Sequence, residues 1–209
     1  IHGDTVPQDP ITILGAAKLI GRFPRGLTVG VLDAVTQREK NSAGTTYDPM
    51  TNFSVMRATQ DFREGKSTIG AVVTAVNRNL DQFSTPYLAS TAYAAAIDFR
   101  HRFLKNNYEI GGSFDQSRVQ GSPEMMLSLQ QNGVHNYQRP DADLPLNANR
   151  TVLSGNAEEF RFGKIGGRNT MFETSFQRRS PGFDVNDMGF LRRADQASWN
   201  TWFGLFDRT

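Results

Sequence analysis

The stretch STAYAAAIDFRHRF, from Ser90 to Phe103, decides the fold of this chain because its residue types alternate with a period of two. One set of positions carries mainly large apolar residues, and the other carries alanines followed by charges. The first set is Thr91, Tyr93, Ala95, Ile97, Phe99 and Phe103, and the second is Ser90, Ala92, Ala94, Ala96, Asp98, Arg100 and Arg102. A helix would scatter these groups, whereas a strand sorts them onto two faces. The stretch therefore predicts a β-strand with one apolar and one charged face.

Similar segments recur along the chain and give about ten predicted strands. Besides the stretch above, they are ITILGAAKLIG, LTVGVLDAVT, NFSVMRATQD, STIGAVVTAVNR, NYEIGGSFDQS, EMMLSLQQN, TVLSGNAEEFRF, NTMFETSFQRR and ASWNTWFGLFD. The short polar turns RFPRG, FREGKS, LKNN and GKIGGR alternate with longer links, as in an antiparallel up-and-down sheet. This alternation is interrupted after Gln130, where a long link falls in the place of a short turn.

Composition narrows the class of protein. The net charge of +2 is too balanced to favour nucleic acid, and the absence of cysteine excludes disulfides and thiolate chemistry. No apolar run approaches the ~18 residues of a membrane helix. The mean hydropathy of −0.48 fits either a soluble β-sandwich or a membrane β-barrel, whose strands face lipid with alternate residues only. Strands of roughly 10–14 residues favour the barrel, since soluble strands average 5–6.

The segment EGKST (Glu64 to Thr68) ends like a phosphate-binding loop, but the pattern fails. It requires a glycine five residues before Gly65, and Gln60 stands there. Strand patterns flank it on both sides, whereas a phosphate-binding loop opens a helix. We predict a hairpin turn at this position.

The link SPGFDVNDMGFLRRADQ (Ser180 to Gln196) partly matches a calcium-loop spacing, but Met188 occupies a ligand position. We predict instead a self-packed connection between two strands, anchored by Phe183 and Phe190 and held by Asp–Arg pairs. The residues assigned to this structural loop are Phe183, Asp184, Asn186, Asp187, Phe190 and Asp195.

The link NYQRPDADLPLN (Asn136 to Asn147) is the second unusual connection. His135, Tyr137, Arg139 and Asp141 are candidates either to contact a ligand such as a sugar or to lock the loop in place, and we favour the lock. The histidines lie far apart, and no nucleophile elbow is present. We therefore expect no catalytic residue, no bound metal and no cofactor, and we predict that the protein is not an enzyme.

Four stretches together resemble a known family. They are PITILGAAKLIGRFPRGLTVGVLDAVTQRE, NFSVMRATQDFREGKSTIGAVVTAVNR, HNYQRPDA and SPGFDVNDMGFLRRADQ. In this order they are similar to the C-terminal barrel region of a bacterial family of unknown function, whose members usually carry an N-terminal family-9-like carbohydrate-binding module. The resemblance implies an outer-membrane β-barrel of a Gram-negative bacterium and brings no established reaction.

The resulting expectation is an all-β, antiparallel up-and-down membrane β-barrel. Residues 1–209 would form a portion of a larger barrel, incomplete at both ends. Its function would be transport, ligand capture or scaffolding of a surface complex in the cell outer membrane. A surface carbohydrate-binding β-sandwich is the alternative, and a barrel enzyme acting on lipid or glycan is the weaker one.

The expected partners follow from this class of protein. Outer-membrane lipid is the first, carbohydrate or other surface proteins are further candidates, and nucleic acid is excluded. The apolar positions Tyr93, Ala95, Ile97 and Phe99 would face lipid, whereas Asp98, Arg100 and Arg102 would face the lumen, because charges in hydrocarbon are costly.

Overall fold

The computed structural model describes residues 11–142 and 144–206, which form one large antiparallel sheet, a small hairpin and one helix. The elements are β1 (Ile13–Arg22), β2 (Leu27–Thr36), β3 (Glu39–Lys40), β4 (Thr46–Asp48), β5 (Met50–Phe62), β6 (Ser67–Asn79), β7 (Thr91–Phe103), β8 (Tyr108–Gln120), α1 (Pro123–Gln131), β9 (Val152–Lys164), β10 (Thr170–Arg179) and β11 (Gln196–Leu205). A single 3₁₀ turn, Pro24–Gly26, joins β1 to β2.

Nine strands make the large sheet in the order β1-β2-β5-β6-β7-β8-β9-β10-β11, and β3 pairs with β4 separately. Every neighbouring pair is antiparallel, and the register places Ile97 of β7 opposite Ala71 of β6 and Phe114 of β8. The prediction of an all-β antiparallel sheet is confirmed. Over the described residues the sheet is open, with β1 and β11 as its two edges.

Short turns and long loops lie on opposite ends of this sheet. The short turns cover residues 23–26, 63–66, 104–107 and 165–169, and the long loops cover 37–49, 80–90, 121–151 and 180–195. The turn 63–66 contains the glycine and lysine of EGKST, so the predicted hairpin turn is confirmed. The two kinds of connection alternate without interruption, because the segment after Gln120 belongs to a long loop.

The strand predicted for EMMLSLQQN is wrong, since this segment forms α1. The Ser122 hydroxyl accepts the backbone N–H of Met125 at 3.2 Å, and Pro123 supplies a fixed φ at the first helical position. Met126 and Gln130, four residues apart, share the buried side of the helix. The methionines and leucines of this short run fit both periods, so only the cap distinguished helix from strand.

The two faces of the large sheet differ. We call the face that carries Ile97 the Ile97 face and the opposite one the Arg100 face. The large apolar residues that stand exposed on the Ile97 face include Leu19, Val31, Met50, Met56, Phe62, Ile69, Val73, Tyr93, Ile97, Phe99, Phe114, Phe160, Trp199, Phe203 and Leu205. Over the described residues, these side chains are not covered by another part of the chain.

The core lies on the Arg100 face, at the end of the sheet that carries the long loops. Two of those loops (121–142 with 144–151, and 180–195) pack there, and we call them the plug. One cluster contains Val76, Ala92, Val119 and Leu153 from four adjacent strands, together with Ala89, Met126 and Tyr137. A second contains Ala157, Phe183, Leu191 and Ala194. The plug therefore covers one half of the Arg100 face and leaves the half near the short turns uncovered.

Candidate functional site: the plug and the charged half of the sheet

A buried histidine–aspartate contact joins the two plug loops. The Oδ1 atom of Asn132 accepts the backbone N–H groups of Val134 at 2.9 Å and His135 at 3.0 Å, which turns the chain after α1 towards the sheet. The backbone N–H of Asp184 donates to the Ser117 hydroxyl of β8 at 2.9 Å. These turns bring His135 Nε2 to 2.7 Å from Asp184 Oδ2, with both side chains buried.

The hydrogen-bond partners fix where the protons lie. His135 Nδ1 donates to the Pro181 carbonyl oxygen at 2.8 Å, since a carbonyl can only accept. The 2.7 Å contact between Nε2 and the Asp184 carboxyl group then requires one further proton between them. The other carboxyl oxygen of Asp184 accepts the backbone N–H of Asn186 at 2.8 Å. Each polar atom of the contact is thus satisfied inside the protein.

Tyr137 packs beside this contact. Its ring meets the His135 ring edge-on, with centroids 6.0 Å apart. Burial raises the pKa of the Tyr137 phenol to about 12, although the Arg150 charge opposes the shift. Tyr137 is therefore neutral at physiological pH, and its ring is enclosed rather than open for a sugar to stack on.

Arg139 provides a second link between the plug loops. Its guanidinium donates to the carboxylate of Asp195, and its Nε lies 3.2 Å from Asp141 Oδ1. The Asp141 side chain is 84% exposed. Of the four residues predicted as ligand contact or lock, His135, Tyr137 and Arg139 lie inside the plug and Asp141 lies on its surface. The contacts of the three inner residues are thus made within the protein.

The loop 180–195 has a third ionic link, to the sheet itself. Arg78 Nη1 of β6 lies 2.6 Å from Asp187 Oδ1, while the Asn186 amide oxygen accepts the backbone N–H of Leu191 at 2.7 Å. Its Asp–Arg pairs are therefore made with other parts of the chain.

The predicted anchoring role of Phe190 is wrong, because its side chain is 86% exposed. Phe183 is buried beside Leu191 and Ala194, and these two residues provide the apolar contact that the prediction assigned to Phe190. An apolar residue in a loop does not reveal from sequence alone which side of the loop it occupies.

Two glycines let the plug reach the sheet. A Cβ on Gly155 of β9 would lie 2.1 Å from the backbone nitrogen of Phe183, and one on Gly182 would lie 2.2 Å from the Ser154 carbonyl oxygen. The loop backbone therefore rests directly on the strand. A glycine inside a strand pattern is the sequence signal for such close approach.

The uncovered half of the Arg100 face carries a charged network around a cavity of about 390 Å³. Arg57 donates to both carboxyl oxygens of Asp98 at 2.9 and 3.1 Å. The network lies over Gly70, where a Cβ would come within 2.8 Å of the Arg57 guanidinium. Arg100 donates to the Thr68 hydroxyl at 3.3 Å. This half is suited to water and polar solutes.

The network continues beyond the cavity towards the short turns. Arg102 Nε lies 2.8 Å from Glu109 Oε2, and Arg161 Nη2 lies 3.7 Å from Glu109 Oε1. The sequence reading placed Asp98, Arg100 and Arg102 on one face, and the structure does so. It did not identify Glu109 and Arg161 as their neighbours, because these lie on other strands.

Aromatic rings line the Ile97 face close to the short turns. His101 stacks on Phe103 with centroids 5.8 Å apart, and Phe103 stacks on Tyr108 at 5.7 Å. Phe162 and Phe172 extend the row across β9 and β10, with centroids 5.6 Å apart. The rings form a continuous aromatic row across four strands.

Two kinds of feature are absent from residues 11–142 and 144–206. None of the helices there has the length and hydrophobicity to cross a bilayer. Nor does that part of the chain bring three or more histidine or acidic side chains together as a metal site would require.

Comparison with known proteins identifies a family. The model of the family described as Domain of unknown function (DUF5916) matches residues 5–206. No curated protein and no solved structure matches the chain.

Proposed function

The chain belongs to the DUF5916 family, whose description assigns no activity, and we propose that it forms part of the wall of an outer-membrane β-barrel. The observation that carries the proposal is the exposed apolar Ile97 face, which runs across the large sheet from β1 to β11. Soluble monomers rarely expose an apolar patch of more than a few hundred Å². A strand that faces lipid on one side and water on the other has this alternation.

The aromatic row supports the same proposal. Membrane barrels carry girdles of aromatic residues where the bilayer meets water. The row from His101 to Phe172 lies at the short-turn end of the Ile97 face, which is where one such interface would fall. In bacterial barrels the short turns are periplasmic and the long loops extracellular. The plug would then lie on the extracellular side.

The charges on the Arg100 face support the proposal that this face lines a water-filled lumen. Its uncovered half carries Arg57, Asp98 and Arg100 around a cavity, and one arginine at the centre of the lipid face would cost about 2–4 kcal/mol. The charges are therefore expected on the water side of the wall. A lumen of this kind, closed at one end by loops, suits the passage or capture of a polar solute.

The size of the plug indicates a larger barrel than nine strands. Strands about 4.8 Å apart and tilted by about 40° each take about 6 Å of circumference, so nine would close at a diameter of about 18 Å. Inward side chains take several Å from each wall, and a helix with its side chains needs about 10 Å. A ring of this size does not hold α1 and two loops. The chain is thus proposed to be one arc of a barrel.

A carbohydrate-binding β-sandwich would require a second sheet over the Ile97 face. Ile97 is 61% exposed, so the geometry gives that alternative no support. We assign no chemistry, because the buried His135–Asp184 contact has no access to a substrate in this arrangement.

The proposal is tested by fluorescence quenching in lipid vesicles. Single cysteines replace Ile97 or its neighbour Ala96 on the opposite face, in the protein as it is produced in the membrane, and each carries an environment-sensitive label. A quencher attached to the lipid chains should quench the label at position 97 and leave that at 96 bright. Equal quenching at both positions, or none at 97, contradicts a lipid-facing Ile97 face.

A pair of charge variants gives an independent test. Ile97→Arg should impair insertion by about 2–4 kcal/mol, whereas Arg100→Gln should leave insertion unchanged. Insertion is measured by the fraction that resists extraction from vesicles. Improved insertion of Arg100→Gln, together with unchanged insertion of Ile97→Arg, would place Arg100, and not Ile97, against lipid.

A further inference from the structure

The edge strand β1 has the properties of a strand that another strand covers. All but one of its residues are exposed, with Leu19 bare on the Ile97 face and Ile20 bare on the Arg100 face. Free edges in native proteins are protected by prolines, bulges or inward charges. Between Gly15 and Arg22, β1 has no proline and no register shift, and Lys18 is its one charge before the end. Left open, such an edge would pair with other chains.

The opposite edge, β11, is similar. Trp199 and Phe203 are exposed on the Ile97 face, and Trp202 is half exposed on the Arg100 face. Its register with β10 is continuous over its whole length, from Gln196 to Leu205. Both edges therefore offer regular, unpaired backbone to a partner.

Strand direction limits what that partner is. The nine strands of the sheet are antiparallel neighbour by neighbour, so the first and the ninth point the same way. Both β1 and β11 begin at the long-loop end of the sheet and finish at the short-turn end. Pairing them directly would make a parallel seam, whereas bacterial outer-membrane barrels have an even number of antiparallel strands.

A second copy of the chain meets the same limit. Two copies inserted in the same orientation would join β1 of one to β11 of the other, and both seams would again be parallel. Antiparallel seams between copies would require one copy to be inverted. That arrangement would place the two sets of long loops on opposite sides of the membrane, whereas barrel loops of one kind lie on one side.

From these directions, and resting on the barrel proposed above, we infer that β1 and β11 are joined by an odd number of further antiparallel strands. They come from a part of the polypeptide outside Ile13–Leu205. Each has about ten residues, to match β1 and β11, with apolar side chains towards lipid and polar ones towards the lumen. The partner of each edge is thus a non-identical strand of the same protein.

Cross-linking in the intact protein tests the inference. The chain contains no cysteine, so introduced pairs report without background from this region. Leu19 and Val31 are register partners in β1 and β2, and the Leu19→Cys/Val31→Cys variant should form a disulfide on oxidation. Pairs across the two edges, such as Leu19→Cys with Thr201→Cys or with Phe203→Cys, should form none. A photoreactive residue at position 19 or 199 should attach to a peptide outside 13–205, identified by mass spectrometry.

The outcomes separate this inference from the proposed function. A disulfide between β1 and β11, or photo-products that join two copies through these edges, would overturn the inference. If the label at position 97 is still quenched by lipid, the proposal of a lipid-facing barrel wall is retained and only the inference about how the barrel closes is wrong. If the label at 97 is not quenched, the barrel proposal itself fails, whatever the edges pair with.

Discussion

The plug-covered half and the open half of the Arg100 face are built from the same strands but carry different kinds of residue. On β7, Ala92 lies under the plug and is buried, whereas Arg100, eight positions further along, lies beside an open cavity. On β9, Leu153 lies at the plug end and Arg161 at the open end. The strand pattern is unbroken between them. Whether a position on these strands is apolar or charged therefore depends on whether the plug or an open cavity lies over it, and not on which strand carries it.

The largest effect is expected from the buried contact between the plug loops. Asp184→Ala should destabilise the docked plug by about 3–5 kcal/mol, because it removes one partner of a buried pair and leaves His135 Nε2 without its hydrogen-bond partner. Hydrogen exchange in residues 180–195 measures the loss. The matched control is Asp141→Ala, an exposed acid of the same plug, which should change stability by less than about 0.5 kcal/mol. Equal effects would remove the distinction between a buried lock and surface charges.

The next effect concerns the apolar contact between plug and sheet. Leu153→Ala should cost about 2–5 kcal/mol, since Leu153 is 1% exposed and its loss leaves a cavity under the plug. Leu19→Ala, which alters an exposed leucine of the Ile97 face, should leave exchange in the plug unchanged. Thermal unfolding with exchange measured in both regions distinguishes the two. A similar loss of plug protection in both variants would mean that the plug responds to the whole sheet.

A smaller effect is expected where the plug backbone touches β9. Gly155→Ala should destabilise plug docking by about 1–3 kcal/mol, because the new Cβ would overlap the backbone of Gly182 and Phe183. Gly30→Ala is the control on β2, where a Cβ meets no atom within 4 Å. That change should be neutral or stabilising, since alanine loses less entropy than glycine in a strand. Limited proteolysis of the loop 180–195 reports the difference, and an intact loop in Gly155→Ala would contradict the close approach.

The smallest expected effect on stability comes from a hydrogen bond in the loops outside the plug, between Thr46 and Asp81. The Thr46 hydroxyl donates to Asp81 at 2.5 Å and, with Ser84 and nearby backbone N–H groups, lowers the pKa of that carboxyl group to about 2. Because the folded pKa lies below the ordinary value of 3.8, this stabilisation is present above pH 3.8 and is lost as the pH falls through 2. Thr46→Val should raise the Asp81 pKa in an NMR titration, whereas Thr46→Ser should keep it low. No rise in Thr46→Val would refute this assignment.

The sheet could be predicted from sequence because its signal is local. The alternation in STAYAAAIDFRHRF sorts Ile97 and Arg100 onto opposite faces, and the register confirms that sorting. The helix α1 was missed because the methionines and leucines of EMMLSLQQN satisfy both periods. Once Ser122 is recognised as a cap, the short and long connections alternate along the whole sheet.

The plug could be predicted only in part. Its loops were recognised as structural connections, but their contacts were not, since His135 and Asp184 are 49 positions apart and no local pattern links them. The same holds for Arg78 and Asp187. Phe190 was placed wrongly for a related reason. A loop has no regular spacing of residues, so the residue type alone does not show whether a side chain points inwards or into solvent. These contacts between residues far apart in the sequence form only once the sheet has folded and brought β6, β8 and the plug together.

The plug is attached to the sheet at four points, because one loop joins β8 to β9 and the other joins β10 to β11. Neither loop can diffuse away when its contacts break, so reclosing is intramolecular and proceeds at an effective concentration in the millimolar range or above. Displacement of the plug would therefore be a brief local excursion rather than a dissociation. The fraction of time for which the plug-covered half of the Arg100 face is exposed would depend on how often the His135–Asp184 contact breaks and not on how far the plug can travel.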